Sequence, residues 1–172
     1  RVFGCSTKWS VKRDAVKKFN EEWQARDVTL EDIDEAGLKK IIANKTEKLR
    51  FVNIWATWCG PCVSEFPEIV SLYRQFETRS FEVISLSADF MNNKARALKF
   101  LKSENAAITK RIEKSVKAEG RTTNNYIINI SNRDKMMDAI DKQWQGPLPY
   151  SLLIAPGGKV LWRHTGEIDF IE

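Results

Sequence analysis

The chain reads as an α/β protein, a mixed central sheet with helices on both faces. Three observations lead there. Short apolar runs of strand character alternate with longer stretches in which apolar residues recur every three or four positions. Strands alternating with helices imply a sheet covered on both faces. The last two strands flank an Ala-Pro-Gly-Gly turn, which pairs them as a hairpin beside an otherwise helix-connected sheet.

Taken in order, residues 1–27 carry Trp9, Val16, Phe19 and Trp23 at roughly helical spacing. They read as an amphipathic extension packing on a domain of residues 28–172. A second helix is expected to open at Thr29, with Asp32 completing a capping box, and to run through Leu38, Ile41 and Ile42. Residues 51–56 form a strand. Val63, Phe66, Ile69, Val70, Tyr73 and Phe76 lie on one face of a helix that starts at a pair of cysteines. A strand at 81–87 follows, then one long helix over about 94–118, ended by Gly120. The remainder reads as a strand at 126–130, a helix from about 132 to 144 capped by Ser131, and hairpin strands at 150–154 and 159–164. Residues 167–172 look like the start of a further helix.

At 172 residues and 42% apolar composition, one domain with a sizeable core is the default. No run approaches the ~20 apolar residues of a membrane span, so the chain reads as soluble. The net charge of +5 comes from 28 basic and 23 acidic residues interleaved along the chain, which argues against a nucleic-acid groove. Because the chain begins at Arg1, any targeting segment is expected upstream.

Three cysteines are too few for a disulfide scaffold, and two of them, Cys59 and Cys62, stand in Trp58-Cys59-Gly60-Pro61-Cys62. By itself the spacing is ambiguous, since half of many zinc sites looks the same. Its setting between a buried strand and a helix favours redox chemistry. At a helix N-terminus, unpaired N–H groups and the positive end of the dipole stabilise a thiolate, the species that attacks a disulfide. Cys62 is then close enough to resolve the mixed disulfide formed on Cys59. A zinc module built from Cys59, Cys62, Cys5 and His164 is the competing reading, one that stoichiometric metal in the reduced protein would support. A peroxidatic Pro-x-x-x-Thr/Ser-x-x-Cys motif is absent, because Val52 and Ala56 stand where it needs Pro and Thr or Ser.

With these residues in place, the sequence resembles the thioredoxin superfamily over roughly residues 28–171. FVNIWATWCGPCVSEFP, residues 51–67, is most similar to the TlpA/ResA-like branch of extracytoplasmic thiol-disulfide oxidoreductases. Pro67 and the segment Gly146-Pro147-Leu148-Pro149-Tyr150 carry the rest of the likeness. The resemblance implies a thioredoxin fold, with an insert at about 105–125 relative to a minimal thioredoxin. The charges of that insert, Lys110, Arg111, Lys114, Lys117 and Arg121, read as a solvated helix face, with a partner-docking surface as the alternative. The resemblance also implies a cis peptide before Pro149, and a substrate groove lined by Leu148 and Pro149 with Trp58, Gly60 and Pro61. Asn53 stands where thioredoxins bury an aspartate. Glu65 matches an acid of the ResA-like branch and is the expected proton relay to Cys62.

No cofactor is implied beyond the Cys59–Cys62 disulfide. The expected partners are protein thiols and disulfides, with a DsbD/CcdA-like electron donor, substrates such as cytochrome c maturation factors, and a periplasmic location. Gly60-Pro61 is the thioredoxin-type dipeptide, which favours a reductant, with an oxidase or isomerase of the same fold as the alternative. Cys5 faintly matches a lipoprotein signal and suggests a membrane or lipid tether in a native precursor; otherwise it is a bystander thiol. His164 reads as a structural or surface residue.

Overall fold

A computed structural model describes residues 13–22 and 27–170. Its elements are α1 (Arg13–Glu22), β1 (Glu31–Ile33), α2 (Glu35–Ala43), β2 (Leu49–Trp55), α3 (Gly60–Phe76) and β3 (Phe81–Ser87), followed by α4 (Lys94–Ser103), α5 (Lys110–Ala118), β4 (Asn125–Ile128), α6 (Arg133–Ile140), β5 (Tyr150–Ile154) and β6 (Val160–Thr165). The sheet order is β1-β4-β3-β2-β5-β6. Its first four strands run parallel, and β5 and β6 are antiparallel to their neighbours. This is the expected mixed sheet.

Side chains alternate across β2, so its two faces feed two cores. Val52 and Ile54 pack with Ile84, Leu86 and Leu152 beneath α2 and α6. On the other face Trp55 packs with Phe66, Ala97 and Leu101 from α3 and α4, and Phe51 with Ile69 and Tyr73. The aromatic trio Trp55, Phe66 and Phe100 closes this second core, with ring centroids 5.0–5.2 Å apart.

Several expected boundaries are corrected. There is no helix at Thr29. Residues 31–33 instead pair with β4, burying Ile33, and α2 begins after Asp34, whose carboxylate accepts from the Gly37 N–H at 2.8 Å. The single helix over 94–118 is two. Asn105 turns left-handed at φ 53°, and residues 107–108 dip into the core, with Asn125 Nδ2 donating to the Ala106 carbonyl at 2.6 Å. Strand β4 stops at Ile128, and α6 is capped by Asn132, which accepts from the Lys135 N–H. Residues 167–170 are not helical. Trp9 and Trp23 lie outside the described residues, while Val16 and Phe19 on α1 are exposed.

Arg121 is not on a solvated face. It is partly buried and belongs to a charge network built around the buried Arg50 and Glu82 at the N-terminal end of the sheet, opposite the cysteines. The guanidinium of Arg50, 2% exposed, donates through Nε and Nη2 to Glu82 Oε1 (2.8 and 2.6 Å), and through Nη2 to Glu119 Oε2 (2.8 Å). Its Nη1 donates to the Ile41 carbonyl at 2.7 Å. Arg121 pairs with Glu82 and Glu119, and Lys48 with Glu119. The network thereby bolts the end of α5 onto β2 and β3.

Candidate active site

Strand β2 ends at Trp55, and the chain turns over Ala56 to Trp58, where the Cys59 N–H donates to the Ala56 carbonyl at 3.1 Å. Cys59 is the N-cap of α3, with Pro61 in the first turn, a position that needs no N–H. Its Sγ accepts from the Cys62 N–H at 3.3 Å, so the helix end directs a backbone donor at the sulfur. Cys59 and Cys62 are joined as a disulfide, with Cα atoms 5.2 Å apart. The two sulfur residues are not equivalent. Cys59 retains 6% exposure and Cys62 none, so an incoming group can reach only Cys59 without prior movement.

Around Cys59 the structure gathers the other expected residues. Trp58 is 61% exposed, and Gly60 and Pro61 are also at the surface. The Leu148–Pro149 peptide is cis; Pro149 is buried, and half-buried Leu148 packs against both cores. Between Trp58 and Leu148 opens a groove of about 420 Å³, walled also by Phe90, Met91, Met136 and Trp144. These last four were not anticipated. The signal for Phe90 was its place just past the C-terminal end of β3, the end of a parallel sheet at which sites form.

Beneath the pair lies Glu65, 2% exposed, on the buried face of α3 with Cys62. Asn53 Nδ2 donates to Glu65 Oε1 at 3.2 Å and to Ser151 Oγ at 3.1 Å, and the Ile168 N–H donates to Glu65 Oε2 at 2.9 Å. Burial pushes the Glu65 carboxyl above its ordinary value, and the bonds from Ile168 and Asn53 only partly offset it. Ser151 and Ile168 were not foreseen. Ile168 contributes only a backbone group, which no side-chain pattern reveals. Pro67 is exposed within α3.

His164 pairs across the hairpin with Ser151. It stacks on Trp162 on the edge strand β6, with its Nε2 3.1 Å from the Glu167 carbonyl. Cys5, the remaining member of the alternative zinc set, lies outside the described residues. Among the described residues, no group of three or more His, Cys, Asp or Glu is placed to hold a metal ion.

Comparison with known proteins gives this geometry a family. The Redoxin family model matches residues 21–169. The thiol-disulfide oxidoreductase ResA of Bacillus subtilis is 27% identical over 152 residues, covering 88% of this chain and 71% of that protein. ResA of Bacillus cereus is 31% identical over 117 residues, which are 68% of this chain and 54% of that protein, so the chain spans about half the length of that relative. In fold, the chain matches the crystal structure of a candidate thiol:disulfide interchange protein DsbE from Chlorobium tepidum, with a TM-score of 0.50 and 23% identity over 74% of each chain. The chain belongs to the Redoxin family and is a thioredoxin-like thiol-disulfide oxidoreductase.

Proposed function

We propose that the chain reduces disulfides of other proteins outside the cytoplasm. The observation that carries this reading is the asymmetry of the pair: Cys59, at a helix N-terminus, keeps 6% exposure, and Cys62 is fully buried on the same face of α3 as Glu65. In the reduced state the Cys59 thiolate attacks one sulfur of the partner's disulfide, and the other sulfur leaves as a thiolate. Cys62, giving its proton to Glu65, then attacks the Cys59 sulfur and expels the second partner thiolate. The partner gains two electrons, and Cys59–Cys62 becomes the disulfide. Trp58 and Leu148 line the groove that holds the partner segment, and Gly60, Pro61 and Pro149 complete the proposed contact surface around Cys59. Residues 28–172 constitute the catalytic domain, with 1–27 as an extension.

A two-electron donor of the DsbD/CcdA kind restores the dithiol. The ResA-like resemblance supports the extracytoplasmic location, and cytochrome c maturation factors are the substrate class it suggests. Direction is tested by equilibrium titration against glutathione. The expected midpoint lies nearer the roughly −270 mV of thioredoxin than the roughly −120 mV of DsbA. A value near the latter would make the protein an oxidase.

Glu65→Gln tests the proton step. Removing the acid is expected to slow disulfide reduction by about 10²-fold, the lower end for general acid–base catalysis, and to flatten its pH profile. The same variant has a stability signature. A carboxyl raised above 4.5 in the folded state favours folding at pH below 4.5, and that contribution is lost as pH rises through the folded value. Glu65→Gln is therefore expected to gain stability relative to the parent above that value and to match it below pH 4.5.

A further inference from the structure

Just past β3, the carboxylate of Asp89 is 2% exposed. Burying an ionised group is costly unless it is compensated. Among the described residues, the compensation is by hydrogen-bond donors and not by a cation. Thr57 Oγ1 donates to Oδ1 at 2.6 Å, and the Thr57 N–H donates to Oδ2 at 3.0 Å. The Ser87 hydroxyl also donates to Oδ2, at 2.8 Å, and accepts in turn from the Asp89 N–H at 3.2 Å.

The register explains why these groups meet. Trp55 and Ser87 are partners at the ends of the parallel strands β2 and β3, so the loops that follow leave the sheet side by side. The Ala88 N–H donates to the Trp55 carbonyl at 2.7 Å, which joins the loops at their base. Asp89 joins them one step further out. On one side Thr57 is followed by Trp58 and Cys59; on the other, Asp89 is followed by Phe90 and Met91. Trp58 and Phe90, 61% and 77% exposed, both line the groove, and no core packing fixes rings so exposed.

We propose that Asp89 is a positioning residue: by clamping Thr57 it sets the spacing of Trp58 from Phe90, and so the fit of the groove to an incoming polypeptide. Its side-chain oxygens are taken up by Thr57 and Ser87, although the residue also lines the groove. Charge-assisted bonds are shorter and stronger than neutral ones, which suits a clamp that must hold a surface loop without packing. This inference rests on the proposed reduction of protein disulfides.

The test is steady-state reduction of insulin with dithiothreitol as electron donor, using the parent, Asp89→Ala, Asp89→Asn, Thr57→Val and the double variant Asp89→Ala/Thr57→Val. Loosening the loop misplaces a binding surface while leaving the chemistry in place. KM for insulin is therefore expected to rise about 10-fold in Asp89→Ala, with kcat within about twofold. Thr57→Val, which keeps the backbone bond, should raise KM about 3-fold, and the double variant should be no worse than Asp89→Ala, because both act through one contact. Asp89→Asn should recover part of the loss, since its oxygen still accepts from the Thr57 hydroxyl. An unchanged KM in both Asp89→Ala and Thr57→Val, or a fall in kcat at constant KM, overturns the assignment. If Asp89→Ala does not fold, Thr57→Val decides by the same criteria. A parent protein that fails to turn over insulin defeats the reductase reading and this inference together; a competent parent with unaltered variants defeats only the inference.

Discussion

Cys59→Ser is expected to lower the reduction of insulin to the rate of dithiothreitol alone. The loss is total because no other described sulfur can take over the first step. A serine hydroxyl at the α3 N-terminus has no accessible anionic form at neutral pH, so the helix end has nothing to activate. Cys62 cannot substitute, for it has no exposed surface. Fold and stability should be little changed, because the hydroxyl can still accept from the Cys62 N–H and cap the helix as Cys59 does. Circular dichroism and turnover measured on the same sample check both halves.

Arg50→Ala should have the largest effect on stability, about 3–5 kcal/mol in urea denaturation, the usual cost of removing one partner from a buried ion pair. In a protein of this size that is on the order of 10 °C in melting temperature. Three consequences combine: Glu82 loses two of its donors, Glu119 loses one, and the Ile41 carbonyl is left without the guanidinium that covers it. The pH dependence has a definite sign. Burial raises the Glu82 carboxyl, yet Arg121, Arg50 and Lys48 together outweigh it and hold the value below the ordinary 4.5. A lowered carboxyl stabilises the fold above the unfolded value, and that contribution is lost as pH falls through the folded one. The parent should therefore lose more stability than Arg50→Ala between neutral pH and pH ~3. Exchange activity of the folded variant should persist, because Arg50 and Cys59 lie at opposite ends of β2.

These residues also show what could be read in the sequence. Strands β3 and β5 stand where their apolar clusters placed them. The strand-to-helix junction at Cys59 was equally legible from the switch in periodicity. Strand β1 was not. Glu31 and Asp32 carry no strand preference, and only pairing with β4 makes the segment extended. The break between α4 and α5 was hidden because helical spacing continues through Ile108 and Ile112, while the turn depends on one left-handed asparagine and a bond from Asn125. The burial of Arg50 depends on partners from β3 and the end of α5, which no local pattern encodes. At the site, Glu65 was visible through the resemblance to the ResA-like branch, whose acid it matches. The Ile168 amide and the clamp of Asp89 on Thr57 were not, because they join segments more than 30 residues apart through contacts that no local pattern encodes.

The central claim is the order of attack, and trapping tests it most directly. Cys62→Ser, reduced and presented with an oxidised protein substrate, should accumulate a covalent complex that dithiothreitol dissolves. Peptide mapping should place the bond on Cys59, and the double variant Cys59→Ser/Cys62→Ser should give none. A complex that forms equally well in Cys59→Ser, joined through Cys62, would contradict the account.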